Sequence, residues 1–187
     1  MASKHRVCPW WLGYFLASPI RRLWQNPAKI LGPYVREGMT VFEPGPGMGF
    51  FTLELARRVG PSGRVIATDI QPRMLGQLER KLARAGLAER VDARLVSPDS
   101  IGPAGLRDAV DFALVFAVLH EMPSPEAFFR QAAQFLKRGA RLLLAEPSSR
   151  VTAAEFETQL GLAGNAGLRV IERPGIRRSR AALLEKI

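Results

Sequence analysis

An acid, three alternating glycines and a second acid make up the part of this chain whose spacing can do chemistry. The run Val41-Phe42-Glu43-Pro44-Gly45-Pro46-Gly47-Met48-Gly49 ends an apolar segment in a carboxylate and turns on glycine. A helix pattern follows at once, from Phe50 to Ala56. A buried strand delivers a small ligand to a helix N-terminus in this way. Glycine at 45, 47 and 49 permits the sharp turn and removes the β-carbons that would hold the ligand away. The spacing is Glu-x-Gly-x-Gly-x-Gly. A dinucleotide fingerprint needs its last glycine at position 50, where Phe50 stands. Asp69 closes the apolar run Arg64–Asp69, about twenty residues further on, where an acid can accept both hydroxyls of a ribose.

Three later strand ends continue the pattern. Val91–Val96 stops just before Pro98-Asp99-Ser100, Asp111–Met122 carries His120 at its end, and Arg141–Ala145 runs into Glu146-Pro147. With these motifs in this order, residues 38–187 resemble the class I S-adenosylmethionine-dependent methyltransferases. The resemblance implies an α/β, Rossmann-like methyltransferase fold: a seven-stranded, mostly parallel sheet, helices on both faces and an antiparallel final strand. It implies S-adenosylmethionine as cofactor, held by Glu43, Gly45, Pro46, Gly47, Gly49, Asp69, Ile70, Asp99, Ser100 and Phe116. Asp99 would accept a hydrogen bond from the adenine amino group. Asp92, the competing acid, falls inside a strand pattern and is expected to face solvent.

Methyl transfer from a sulfonium asks the protein mainly to align a nucleophile about 3 Å away and exclude water. Two catalytic candidates follow. His120 can serve as a general base, or it can hold the loop beside the cofactor without moving a proton. Glu146 can meet a cationic or amine substrate, or simply pair with Arg150. Glu121 is read as structural. Phe50, Met122 and the N-terminal aromatics would form an apolar wall suited to a flat acceptor. No Asn-Pro-Pro-Tyr or Asp-Pro-Pro-Tyr run follows the fourth strand, and no Pro-Cys pair exists for attack on cytosine. The chain therefore reads as an enzyme for a small, apolar or flat metabolite. The alternatives are an RNA methyltransferase and a non-catalytic cofactor-binding protein.

The bulk properties fit one domain: 187 residues, of which 47% are hydrophobic, can enclose a substantial core. A net charge of +10 favours polyanions, either nucleic acid or an anionic membrane face. The basic residues are mostly dispersed, however; only Arg21-Arg22 and Arg177-Arg178 with Arg180 cluster. Cys8 is the single cysteine, so no internal disulfide forms and a cytoplasmic setting is expected. No Cys/His cluster has metal-ligand spacing, and no metal is expected. Val7–Ala17 imitates a signal peptide, but Pro9 and the missing cleavage pattern argue against one.

Residues 1–37, with Trp10, Trp11, Tyr14, Phe15 and Trp24, read as an aromatic and basic lid segment ahead of the cofactor-binding domain at 38–187. The same residues can touch lipid headgroups or add to the core. Asn26-Pro27 caps a short helix. Further helices are expected over Thr52–Val59, from Gln71-Pro72 to Gly86, from Ser124-Pro125 to Leu136, and from a Thr152/Glu155 capping box to Gly164. A turn over Lys137–Ala140 should separate the third of these from the fifth strand, and Leu168–Arg173 with Ser179–Leu184 should close the sheet.

Overall fold

The computed structural model describes residues 24–97 and 105–187. Expectations placed on residues 1–23, on Asp99 and on Ser100 lie outside the described residues. The elements run α1 (Pro27–Leu31), β1 (Thr40–Pro44), α2 (Thr52–Val59), β2 (Arg64–Asp69), α3 (Pro72–Arg84), β3 (Val91–Leu95), β4 (Val110–Phe116), α4 (Pro125–Phe135), β5 (Leu136–Pro147), α5 (Ala153–Asn165), β6 (Leu168–Glu172) and β7 (Ser179–Lys186).

These strands form one sheet in the order β3-β2-β1-β4-β5-β7-β6. Pairings among β1 to β5 are parallel, whereas β7 runs antiparallel to both β5 and β6. The seven-stranded, mostly parallel Rossmann-like sheet is therefore present. Strand order reverses between β1 and β4, which opens a crevice outside their carboxyl ends.

Strand residues alternate between two cores because successive side chains point to opposite faces. Phe42, Ile66, Ala113, Val115, Leu142 and Leu144 pack with Phe128 and Phe129 of α4 and Phe156 of α5. Their neighbours Val41, Val65, Phe112, Leu114 and Leu143 face Leu31, Leu55, Leu75 and Leu78 of α1, α2 and α3. With both faces buried, the strands read as continuous apolar runs.

The helix starts follow their caps. Asn26 accepts N–H bonds from Ala28 and Lys29 ahead of Pro27, and Ser124 accepts one from Ala127 ahead of Pro125. Thr152 and Glu155 form the full reciprocal capping box.

One expectation changes. Strand β5 begins directly at Leu136, paired with Val110, so no separate turn precedes it. Residues 137–140 form a bulge instead: two steps along β4 (Val110 to Phe112) match five along β5 (Leu136 to Arg141). Gly139, at φ 76, absorbs the excess. Leu31 and Val35 are core residues and Tyr34 stacks on Phe112 at 6.0 Å. Residues 24–37 are built into the domain.

Removing the capping box tests how much α5 depends on it. Thr152→Ala should cost about 1 kcal/mol, read as a lower urea midpoint with an unchanged slope.

Candidate active site

The site is built from what the strands carry past their carboxyl ends. Glu43 and Asp69 stand on adjacent strands, with Glu43 in register with Ala67. Beyond Glu43 the chain turns through Gly45 (φ 63), Gly47 (φ 55) and Gly49 (φ 82). The Gly45 N–H donates to the Thr68 carbonyl at 2.8 Å, joining the turn to β2. The three glycines serve different ends. A Cβ at Gly45 would sit 2.6 Å from Val118 Cγ2, and one at Gly49 would sit 2.6 Å from Leu78 Cδ1. A Cβ at Gly47 would meet nothing within 4 Å, so it would project into open space. Gly45 and Gly49 thus permit close packing, and Gly47 leaves a cradle clear.

Two buried polar atoms beside this cradle, Glu43 Oε2 and Thr52 Oγ1, make no well-aligned hydrogen bond, although the hydroxyl lies close enough to the carboxyl to favour its charged form. Burial drives the Glu43 carboxyl up to about 7; the nearby Thr52 hydroxyl eases this and the charge of Asp69 adds to it. Asp69 is likewise pushed up to about 6 by burial, against the N–H groups of Gln71, Gly47 and Ile70, with Glu121 adding repulsion. Its Oδ1 accepts the Gln71 N–H at 2.9 Å. The Lys81 ammonium donates to the Met48 carbonyl at 2.9 Å and pins the glycine turn to α3. Burial lowers the Lys81 pKa.

Glu146 ends β5 fully buried. Its Oε1 accepts the N–H groups of Val118 and Leu119, both at 3.1 Å, and its Oε2 accepts that of His120 at 3.2 Å. His120 Nδ1 lies 2.5 Å from the same Oε2. This corrects the expectation that Glu146 meets a cationic substrate or pairs with Arg150, because its oxygens are committed to the loop after β4. Ala117 makes that nest possible. It adopts φ 57 and turns the next three N–H groups toward one point.

His120 sits in a 3-10 turn over Leu119–Glu121, beyond the strand end. Burial works against its charge, but the hydrogen bond and charge of Glu146, with Glu121, outweigh burial and Arg150 and raise its pKa.

Of the other expected residues, Pro46 is buried and Ile70 half-buried. Phe116 closes β4 and packs on Phe51 with ring centroids 4.4 Å apart, while Phe50 meets Phe51 edge-on at 5.0 Å. Met122 is a core residue and lines no acceptor wall. Asp92 is half-exposed beside Arg94, its ion-pair partner at 2.5 Å. Among the described residues no group of His, Cys, Asp and Glu could hold a metal ion. The sequence reading did not single out Thr52, Lys81 or Ala117. Thr52 and Lys81 carried a weak signal, as polar residues at otherwise core-facing helix positions. An alanine at positive φ carries none.

A model of the methyltransferase-domain family matches residues 35–167. The chain belongs to this family.

Among curated relatives, the ubiquinone/menaquinone biosynthesis C-methyltransferase UbiE of Klebsiella pneumoniae is 30% identical over 151 residues, covering 81% of this chain and 57% of that protein. The enzyme of the same name from an Enterobacter species is 30% identical over 152 residues. The chain thus spans 57% of the length of these relatives. Among solved structures, a SAM-dependent methyltransferase from Aquifex aeolicus has a TM-score of 0.87 at 24% identity, covering 97% of this chain and all of that one. A SAM-dependent O-methyltransferase from Thermotoga maritima has a TM-score of 0.67 at 22% identity, covering 100% of this chain and 68% of the other. Both share the methyltransferase fold.

The cofactor of this methyltransferase is S-adenosylmethionine, and the described residues fit it. The open cradle at Gly47, the buried Glu43 and Thr52 oxygens and the Asp69 carboxylate offer space and polar partners on one side of the crevice.

The raised acids make stability depend on pH in an unusual direction. An acid whose folded pKa exceeds its unfolded value favours folding when protonated. For Glu43 that contribution is complete below its ordinary value of 4.5 and is lost as pH rises toward about 7. Glu43→Gln should therefore be more stable than the parent at pH 8, by about 1–3 kcal/mol. The gain should vanish near pH 4, as measured by urea unfolding without cofactor.

Proposed function

We propose that this methyltransferase acts on a small, flat and largely apolar acceptor, with carbon as the methylated atom. The observation that carries the reading is the buried pair of Glu43 and Thr52, without a well-aligned hydrogen bond, beside the open Gly47 cradle, at the point where strand order reverses. The name of the curated relatives, C-methyltransferases of quinone biosynthesis, supports the acceptor class. Half-buried Phe50 and Phe116 support it too, as apolar surface near the cofactor turn.

S-adenosylmethionine, when bound, supplies a methyl group made electrophilic by its sulfonium. The chain's part is to hold and to shield. Glu43 and Asp69 orient the polar ends of the ligand, and Gly47 lets it approach the backbone. Glu146 is a positioning residue: by gathering the N–H groups of Val118, Leu119 and His120, it holds the loop that packs on Gly45. With Nδ1 committed to Glu146, the His120 proton site open to exchange is Nε2. A flat hydroxylated ring must lose a proton as it is methylated on carbon, and His120 Nε2 is the group we assign to receive it. The protein works in the cytoplasm, with an anionic membrane face as a further contact. Among the described residues no helix is long and apolar enough to cross a membrane. RNA as the acceptor is favoured only by net charge, and many basic groups are already paired, among them Lys137 with Asp111 and Arg173 with Glu157.

Calorimetry should show binding of S-adenosylmethionine and of its demethylated product. Asp69→Ala should weaken both by roughly 1–3 kcal/mol, and unchanged affinity would move the ribose site elsewhere. A transfer screen should favour quinols and phenols over amines, thiols and RNA.

The pH profile tests His120. Its pKa is raised, so a base at Nε2 becomes competent only as pH climbs through a value above 6.5. The turnover rate should rise through that inflection, and His120→Asn should flatten it. A profile identical in both would return His120 to a purely structural role.

A further inference from the structure

The carboxyl end of β5 and the start of β7 build a corner that the cofactor does not require. Pro147 pairs with Ser179, and Glu146 with Arg180. The Ser148 N–H and hydroxyl both donate to the Arg178 carbonyl, at 3.0 and 3.2 Å. Gln25, itself buried, donates from Nε2 to the Arg177 carbonyl and to Ser179 Oγ, each at 3.2 Å. Arg178 is held in the left-handed region at φ 61, with its guanidinium 4.9 Å above the centre of the Trp24 ring. A bulky residue at positive φ is costly and persists where its surroundings over-determine it.

Four arginines lie on the two segments that meet here. Arg150, Arg177 and Arg178 are exposed. Arg180 is half-buried and donates from Nε to the Val151 carbonyl at 3.0 Å. Among the described residues none of the four forms an ion pair. Their place in the fold distinguishes them from basic groups elsewhere. A run of contacts joins the corner to the cofactor turn. Gly45 abuts Val118, Val118 donates to Glu146, and Ser148 follows two residues after Glu146. Strands lie about 4.8 Å apart, so β7 stands only about 10 Å from β4, within the reach of a small aromatic molecule. The acids assigned to the cofactor stand at the ends of β1 and β2. The carboxyl end of β5 is left for the acceptor.

We propose that this corner binds an anionic group, a carboxylate or a phosphate, carried by the methyl acceptor. The inference rests on the methyltransferase reading above and narrows it, from a flat apolar acceptor to an aryl acid or aryl phosphate. Guanidinium forks match both anions in a bidentate manner, and unpaired cations at the mouth of a cleft concentrate anionic ligands there. Trp24 and the Gln25 bonds pre-order the arginine-bearing turn.

The test is calorimetry of the full chain, saturated with demethylated cofactor, against phenyl phosphate and benzoate. At least one probe should bind, and Arg150→Gln with Arg177→Gln should weaken it at least tenfold while cofactor affinity changes less than twofold. If the double variant unfolds, Arg177→Gln alone is used, and a threefold loss is expected. Probe affinity that is equal in parent and variant overturns the proposal, as does binding of neither probe. Arginine-dependent retention on phosphatidylglycerol vesicles or on RNA, with no affinity for either probe, overturns it too and assigns the corner to a macromolecular surface. A parent protein that fails to bind the cofactor would instead defeat the methyltransferase reading itself.

Discussion

Glu146 brings a negative charge to the end of β5 with no exposure to water, and the geometry of the crevice follows from how that charge is satisfied. An uncompensated buried carboxylate is very costly, so each of its oxygens must find donors. Three backbone N–H groups and the His120 ring supply them. To bring those groups to one point the chain must reverse sharply after Phe116, and Ala117 does so at positive φ. Val118 is thereby pressed against the site of Gly45, which is why a side chain there would collide. One buried charge thus links β5, the loop after β4 and the glycine turn after β1.

Glu43 shows the opposite treatment of the same chemistry. It too is an acid at a strand end and nearly inaccessible, yet one oxygen makes no well-aligned hydrogen bond and its pKa stands at about 7. Structural carboxylates such as Glu146 are satisfied from within, whereas Glu43 and its neighbour Thr52 leave polar capacity unused. In a well-packed protein, such unused capacity at the mouth of a crevice points to a ligand that completes it. The cost to the free protein is offset when a cationic, hydrogen-bonding ligand binds, and the coupling runs through protons as well as contacts.

The two sides of the crevice then differ in sign. Acids line the β1 and β2 end, where a positively charged cofactor belongs. Arginines stand at β5 and β7, the corner proposed for the anionic group of the acceptor. Half-buried Phe50 and Phe116 lie toward the cofactor side. A division of this kind orients two ligands toward each other before any contact specific to the reaction is made.

Much of this was legible in the chain as written. The strand-end acids, the glycine spacing, the Asn26-Pro27 and Ser124-Pro125 caps and the Thr152/Glu155 box are local signals, because each acts through neighbours a few residues away. The alternation of short apolar runs with helix patterns likewise pointed to a parallel sheet covered on both faces. Sequence could not assign Glu146. Its partners lie 26 to 28 residues earlier, and only the pairing of β4 with β5 brings them within reach. Nor could it separate the jobs of Gly45 and Gly47, since both are glycine at positive φ and only the neighbouring Val118 distinguishes a contact from a cradle. Met122 read as an acceptor wall for the same reason: hydrophobicity is local, but which side of a sheet it faces is decided by packing. Residue type and short spacing therefore determined the elements and the chemical class. Whether a buried acid is satisfied or left open was decided by tertiary structure alone, because burial and hydrogen bonding depend on chains far apart in sequence.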